Sequence, residues 1–284
     1  MWKREILDTP RGKFEIFLKG EGEPTCITHL YSEFNELGYY FADEFTDYFK
    51  VILVNLREAG NSCKAEKEYL LSMDEAVYDL EAIRDTLGYN KWAFGGHSTG
   101  GMLGLKYGII AQNSLTKLIV GGAAASYKYM EHPDSMYCHK SPLNKRLLEI
   151  LEILKTSKNR KERVSASKEW TNMSLYNPDK REQYFKKPSS GKTIAKRLDY
   201  YSYTELPTFD LVSQLKDIIV PVFVYGGAHD AQCPFVFSEE IHLNLHNAVL
   251  FKFNFSNHSP FMEEKEKFKQ MISKFKILDS EHIL

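Results

Sequence analysis

A buried strand that runs into a glycine turn, followed at once by a helix, is the feature that most restricts this chain. The run is Trp92-Ala93-Phe94-Gly95-Gly96-His97-Ser98-Thr99-Gly100-Gly101, and Met102-Leu103-Gly104-Leu105-Lys106-Tyr107 after it reads as a helix. Its centre, Gly96-His97-Ser98-Thr99-Gly100, matches the pattern G-x-S-x-G. Glycines on both sides of the serine let neighbouring backbone pass closely, so the serine is lifted on a strained strand-to-helix turn. The pattern alone would arise by chance in on the order of one in fifteen chains of this composition. Its weight therefore rests on partners elsewhere: a base, an orienting acid, and donors for a developing negative charge.

The rest of the chain supplies a setting. Arg4–Leu7 and Phe14–Leu18 read as two strands joined at Pro10-Arg11-Gly12. Thr25–Thr28, Val51–Val54, Lys91–Phe94, Lys117–Val120, Val220–Tyr225 and Val249–Phe253 are short apolar runs of the buried-strand type. Ser72 to Leu87 reads as a helix, with Ser72 and Glu75 as a capping box and Ala76, Val77, Leu80, Ile83 and Leu87 on one face. Glu264 to Phe275 reads as a last helix, with Phe268, Met271, Ile272 and Phe275 on one face. Strands alternating with helices predict an α/β fold with a mostly parallel, doubly wound sheet covered on both faces. Between 126 and 208 the pattern changes to helical periods, as in Leu143-Leu147-Leu148-Ile150-Leu151-Leu154, with more charge and tyrosine. Residues 1–125 and 209–284 are thus expected to form one core, and 126–208 a helical lid inserted into it. Lys187 to Lys192 reads as a loop inside the lid, and the basic run Lys155–Arg163 as a solvated helix face.

Functional groups of an open parallel sheet gather at the carboxyl ends of its strands. Ser98 is the first such group. Tyr225-Gly226-Gly227-Ala228-His229-Asp230 puts an acid at a second strand end, and Phe253-Asn254-Phe255-Ser256-Asn257-His258 puts a histidine at a third. A neutral His258 would take the proton of Ser98 as it attacks and return it to the leaving group. Asp230 would hold the imidazole in the needed tautomer. His229 adjoins the acid too closely to turn back onto it, and His97 reads as a packing residue. Thr28-His29-Leu30-Tyr31-Ser32 follows the first core strand and is expected to donate one backbone N–H to an oxyanion hole, Tyr31 in preference to Leu30, with Thr99 as the other. Arg57 and Gly60, in Asn55-Leu56-Arg57-Glu58-Ala59-Gly60-Asn61-Ser62, are expected to brace the surrounding loops.

Composition narrows the classes. A net charge of -1 over 284 residues gives no electrostatic reason to expect a nucleic-acid partner or an anionic membrane. No apolar run is long enough to span a bilayer. Met1-Trp2-Lys3-Arg4-Glu5-Ile6 lacks the features of a secretion signal, and Cys26, Cys63, Cys138 and Cys233 show no C-x-x-C spacing. The expectation is a cytoplasmic protein with reduced thiols, acting on a small-molecule substrate, with no cofactor and no metal. Its oligomeric state is not readable.

The order Ser98, Asp230, His258, with the segments G-H-S-T-G-G, G-G-A-H-D-A-Q-C-P and S-N-H-S-P-F around them, resembles the α/β-hydrolase superfamily. Asn-Leu-Arg-Glu-Ala-Gly-Asn-Ser is similar to the D-x-R-G-x-G-x-S segment of the lidded branch that includes proline iminopeptidases, epoxide hydrolases, dehalogenases and small serine esterases. Two departures matter. A serine at the elbow argues against the epoxide hydrolases and dehalogenases, which use aspartate. His29-Leu30-Tyr31 replaces the H-G-G-P-G of proline iminopeptidases. The resemblance implies a serine hydrolase that cleaves a small carboxylic ester, lactone or thioester through an acyl-enzyme. One alternative is a proline iminopeptidase-like aminopeptidase, in which Glu169 or Glu182 would bind the substrate amine. The other is a slow-turnover ligand sensor on the same fold. Trp170, Met173, Tyr176, Tyr200, Tyr201 and Tyr203 are candidates for lining the pocket, set against the plainer reading that they are lid core.

Overall fold

The computed structural model describes residues 1–278. Among these residues there are ten strands: β1 (Lys3–Thr9), β2 (Gly12–Lys19), β3 (Pro24–Ile27), β4 (Ser32–Glu33), β5 (Lys50–Val54), β6 (Trp92–His97), β7 (Leu115–Gly121), β8 (Lys192–Thr193), β9 (Val222–Gly227) and β10 (Ala248–Phe253). Eight form one sheet in the order β1-β2-β5-β3-β6-β7-β9-β10, while β4 and β8 form a separate two-stranded ladder. The pairs β1–β2 and β2–β5 are antiparallel, and the rest of the large sheet is parallel.

Strict alternation along the central strands explains why both faces are covered. Ile52 and Val54, Trp92 and Phe94, Leu118 and Val120, and Val222 and Val224 point to one face. Val51 and Leu53, Ala93, Ile119, and Phe223 and Tyr225 point to the other. The first face is packed by α2 (Met73–Thr86) and α3 (Thr99–Ala111); the helix Phe235–Asn244 joins them through Phe237 and Ile241. The second is packed by the short helix α1 (Tyr40–Asp43) and by Lys265–Ile277, whose Phe268, Met271, Ile272 and Phe275 are all buried as their spacing predicts. Each such side chain contributes about 1.5–3 kcal/mol of transfer free energy. The expected capping box is half made. Ser72 accepts from the Glu75 N–H at 3.2 Å, but the Glu75 carboxylate is taken by Arg11.

Between β7 and β9 the chain leaves the large sheet. Asn144–Thr156, Arg160–Met173, Arg181–Tyr184 and Ala195–Tyr200 are α-helical there, and Tyr201–Glu205 is a π-helical turn. The exposed strand β8 begins at Lys192, inside the loop expected over Lys187–Lys192. The two ends of this stretch meet: Ser126 and Asp210 form a β-bridge, the Tyr127 N–H donates to Phe209 at 2.7 Å, and the Leu211 N–H donates to Ala125 at 2.7 Å. We refer to 126–208 as the insertion. Among the described residues no helix is long and apolar enough to cross a membrane.

Candidate active site

Ser98 joins β6 to α3 with φ 57° and ψ −128°, one of two non-glycine residues at positive φ among those described. That conformation costs of order 1–3 kcal/mol and persists only where its surroundings enforce it. Here the Ser98 N–H donates to the Gly121 carbonyl at 2.8 Å, and its own carbonyl accepts from Gly101 at 2.9 Å. Glycine is required on both sides. A Cβ at Gly96 would overlap the Gly100 carbonyl, and one at Gly100 would lie 2.5 Å from the Thr28 carbonyl oxygen.

Asp230 and His258 come together on the loops after β9 and β10. His258 Nδ1 lies 2.9 Å from Asp230 Oδ2 and 3.1 Å from Oδ1. Asp230 Oδ1 also accepts from the Gln232 and Cys233 N–H groups, each at 2.9 Å. Asn257 Oδ1 accepts from the Ala231 N–H at 2.8 Å and so ties the two loops together. Both side chains are buried. The His258 ring lies against the end of β7, where a Cβ on Gly122 would be 3.2 Å from its Cε1. That is next to Gly121, to which Ser98 is bonded. Among the described residues the Ser98 hydroxyl has no hydrogen-bond partner. Such bonds are often loose until substrate binds.

The segment after β3 faces Thr99. His29 Nε2 lies 3.2 Å from Thr99 Oγ1, and His29 Nδ1 lies 3.0 Å from Ser32 Oγ. Burial, aided by His258 and Arg197, pulls the His29 imidazole down to about 3, so it is neutral near pH 7. With Nδ1 accepting from the Ser32 hydroxyl, Nε2–H is left to donate to Thr99. His29 then bridges the two segments expected to supply oxyanion donors. The Thr99 N–H opens α3, where the first N–H groups have no helical acceptor. The Tyr31 N–H has only a 3.5 Å contact with His29 Nδ1.

His97 donates to or accepts from the Tyr225 hydroxyl through Nδ1 at 2.9 Å, and its ring centroid is 4.6 Å from that of His258. Burial holds it well below the usual imidazole range, and its Nε2 is buried without a partner. Despite three neighbouring histidines, no group of three or more His, Cys, Asp or Glu among the described residues is arranged to hold a metal ion. His229 packs against Tyr176, the two ring centroids 4.7 Å apart and the planes tilted by 38°. Arg57 braces the loops: its Nε and Nη2 reach Asp79 at 2.6 and 2.8 Å, and Nη2 also reaches the Arg11 carbonyl at 2.7 Å. Gly60, at φ 51°, donates its N–H to Glu33 at 2.9 Å.

Of the six proposed lining residues only Tyr201 is fully buried, its hydroxyl 3.2 Å from Met102 Sδ at the start of α3. Tyr203 is 77% exposed and Tyr176 44%, so neither faces a closed pocket. Two tyrosines with no sequence signal stand beside Tyr201 instead. The Tyr129 hydroxyl is 3.2 Å from that of Tyr201, and the Tyr137 hydroxyl donates to Gln232 at 2.8 Å. Glu169 is bound to Arg146 at the surface and Glu182 is 84% exposed, so the acids considered for holding an amine lie on the outside of the insertion.

Comparison with known proteins agrees with this architecture. A family model described as the alpha/beta hydrolase fold matches residues 16–234. The structure of an alpha/beta fold family hydrolase from Bacillus anthracis str. Sterne is 50% identical, with a TM-score of 0.95 over 96% of this chain and 99% of that one. The AB hydrolase superfamily protein YisY of Bacillus subtilis (strain 168) is 26% identical over 262 residues, 90% of this chain and 92% of its own. The esterase EaEST from Exiguobacterium antarcticum shares the fold at 23% identity, with a TM-score of 0.70 over 95% of this chain and 98% of that one.

Proposed function

Since the chain belongs to the α/β-hydrolase fold family and is a hydrolase, we propose that it cleaves a small carboxylic ester, lactone or thioester through an acyl-enzyme on Ser98. The observation that carries this reading is the Asp230–His258 pair, 2.9 Å apart, with the imidazole set against the strand end that holds the strained backbone of Ser98.

In this reading Ser98 Oγ attacks the carbonyl carbon and His258 Nε2 takes its proton. Asp230, bonded to Nδ1, keeps Nε2 free to accept and stabilises the imidazolium that forms. The carbonyl oxygen becomes an oxyanion held by the N–H groups of Thr99 and Tyr31. The intermediate collapses, the alcohol or thiol leaves with the proton from His258, and the acyl group stays on Ser98. Water, deprotonated by His258, then attacks the acyl carbon, and the acid is released. The insertion acts as a cap, with Tyr129, Tyr137 and Tyr201 bordering the acyl or alcohol site.

The test is Ser98→Ala. Labelling by a fluorophosphonate probe and hydrolysis of p-nitrophenyl esters should both be lost, while the melting temperature stays near that of the wild type. Labelling of another residue, or ester turnover that survives the substitution, refutes the assignment.

A further inference from the structure

The loop expected to carry the second oxyanion donor is gripped from behind by the insertion. Ser32 and Glu33 pair with Thr193 and Lys192 in the β4–β8 ladder. The Ile194 N–H donates to the Tyr31 carbonyl at 2.8 Å, and the Gly191 N–H donates to the Glu33 carbonyl at 3.0 Å. One helical turn further on stands Arg197, a residue only 2% exposed. Its Nε donates to the Leu30 carbonyl, its Nη1 to the Arg57 carbonyl at 3.4 Å and its Nη2 to the Leu71 carbonyl at 3.3 Å. It has no carboxylate within ion-pair distance among the described residues. A buried cation is rarely left without a paired charge, so three backbone carbonyls as its partners call for a reason.

The reason lies in the peptide between Leu30 and Tyr31. A trans peptide is planar, and its C=O and N–H point in opposite directions. With the Leu30 oxygen drawn toward Arg197, the Tyr31 N–H must face the other way. That is the side of His29, whose far nitrogen touches Thr99. We propose that Arg197 is a positioning residue for the oxyanion hole: it sets the plane of the Leu30–Tyr31 peptide so that the Tyr31 N–H converges with that of Thr99. The cation also polarises the peptide it holds, which strengthens the N–H as a donor in a site of low dielectric. This resolves a difficulty posed by the His29-Leu30-Tyr31 segment. Leu30 has no freedom of the glycine kind to shape the turn, and a side chain from the insertion imposes the orientation from outside.

The inference rests on the serine-hydrolase reading, and the experiment separates the two. Wild type, Arg197→Met and Arg197→Lys are assayed on p-nitrophenyl acetate, with active sites counted by fluorophosphonate titration so that misfolded protein does not enter kcat. For Arg197→Met, kcat per titrated site should fall about 10- to 100-fold, less than the ~100- to 1000-fold expected for outright loss of a donor. KM should change less than threefold. Inhibition by a trifluoromethyl ketone, which forms a tetrahedral adduct on the serine, should weaken in parallel with kcat. Arg197→Lys keeps a cation near Leu30 and should fall between the two; it also serves as the test should Arg197→Met fail to fold. An unchanged kcat per site, or a raised KM with kcat intact, overturns the role for Arg197 while leaving the hydrolase reading standing. A wild type with neither ester turnover nor Ser98 labelling removes both.

Discussion

Asp230→Asn tests the proposed chemistry because the local hydrogen bonds dictate which way the new amide must turn. Two backbone N–H groups, of Gln232 and Cys233, point at Oδ1 from 2.9 Å. An amide NH2 in that place would set donor against donor, so the asparagine oxygen occupies the Oδ1 position. The NH2 then takes the place of Oδ2, 2.9 Å from His258 Nδ1. It donates to Nδ1, which leaves the imidazole proton on Nε2, the atom that must accept from Ser98. Loss of the correct tautomer in such a triad costs about 10⁴-fold in kcat, close to 5.5 kcal/mol at 1.36 kcal/mol per tenfold. Stability should barely change, because both backbone donors keep an oxygen acceptor. Asp230→Ala strips those donors of their acceptor, and the buried Cys233 N–H so stranded costs about 1–3 kcal/mol. The assay is kcat on p-nitrophenyl acetate beside thermal melts of both variants. A fall in kcat below tenfold for Asp230→Asn, with the melt unchanged, would refute the reasoning.

Two further outcomes follow from the geometry. Gly96→Ala should abolish both activity and probe labelling, since the new methyl has no space against the Gly100 carbonyl; an active, normally melting variant would show that the elbow is less constrained than described. His29 should make the protein acid-sensitive: in the unfolded chain it binds a proton near 6.5, in the folded protein not until about 3. The unfolded state thus holds more protons between those values, and stability falls as pH falls through that window. Between pH 7 and 5 this one residue accounts for ~2 kcal/mol. Urea denaturation of His29→Gln at both pH values should show that share of the loss removed, and an unchanged pH slope would contradict the burial of a neutral imidazole.

The sheet and the candidate groups on its strand ends were legible because each left a local mark. Trp92–His97, Val222–Gly227 and Ala248–Phe253 are apolar runs that stop at glycine or small polar residues, and Ser98, Asp230 and His258 stand just past those stops. The helix Lys265–Ile277 announced its buried face by spacing alone. Arg197 left no such mark. Its principal partner is a backbone carbonyl 167 residues away, and a carbonyl has no side-chain identity to read. Tyr129 meets Tyr201 through their hydroxyls and Tyr137 through a ring edge, contacts made only by the course of the insertion, so one tyrosine in that stretch looked like any other. The β4–β8 ladder is two residues long on each strand, too short for any alternation to appear.

These contacts limit how a substrate can reach Ser98. The insertion is bonded to the loops after β3, β9 and β10, each of which carries a candidate group. Arg197 and the Ile194 N–H hold the loop after β3. The Met136 N–H at 2.6 Å and Ser135 Oγ at 3.0 Å hold the loop after β9, through the carbonyls of Ala231 and Gln232. The carbonyls of Ser174 and Met173 accept from the His258 N–H and from Asn257 Nδ2, each at 3.3 Å, beside β10. Each bond contributes about 0.5–1.5 kcal/mol net. Swinging the insertion away as one body would break all of them, at a cost approaching the 5–15 kcal/mol that holds a whole domain folded. Such an opening would also release the Leu30 carbonyl from Arg197, and on the role proposed for Arg197 it would let the Tyr31 N–H turn away and dismantle the oxyanion hole. Entry by local movement of side chains and short turns costs far less and leaves those bonds intact. On the function proposed for Ser98, the insertion is therefore better understood as a wall of the site, with Tyr129, Tyr137 and Tyr201 on its border, than as a door over a site already complete beneath it.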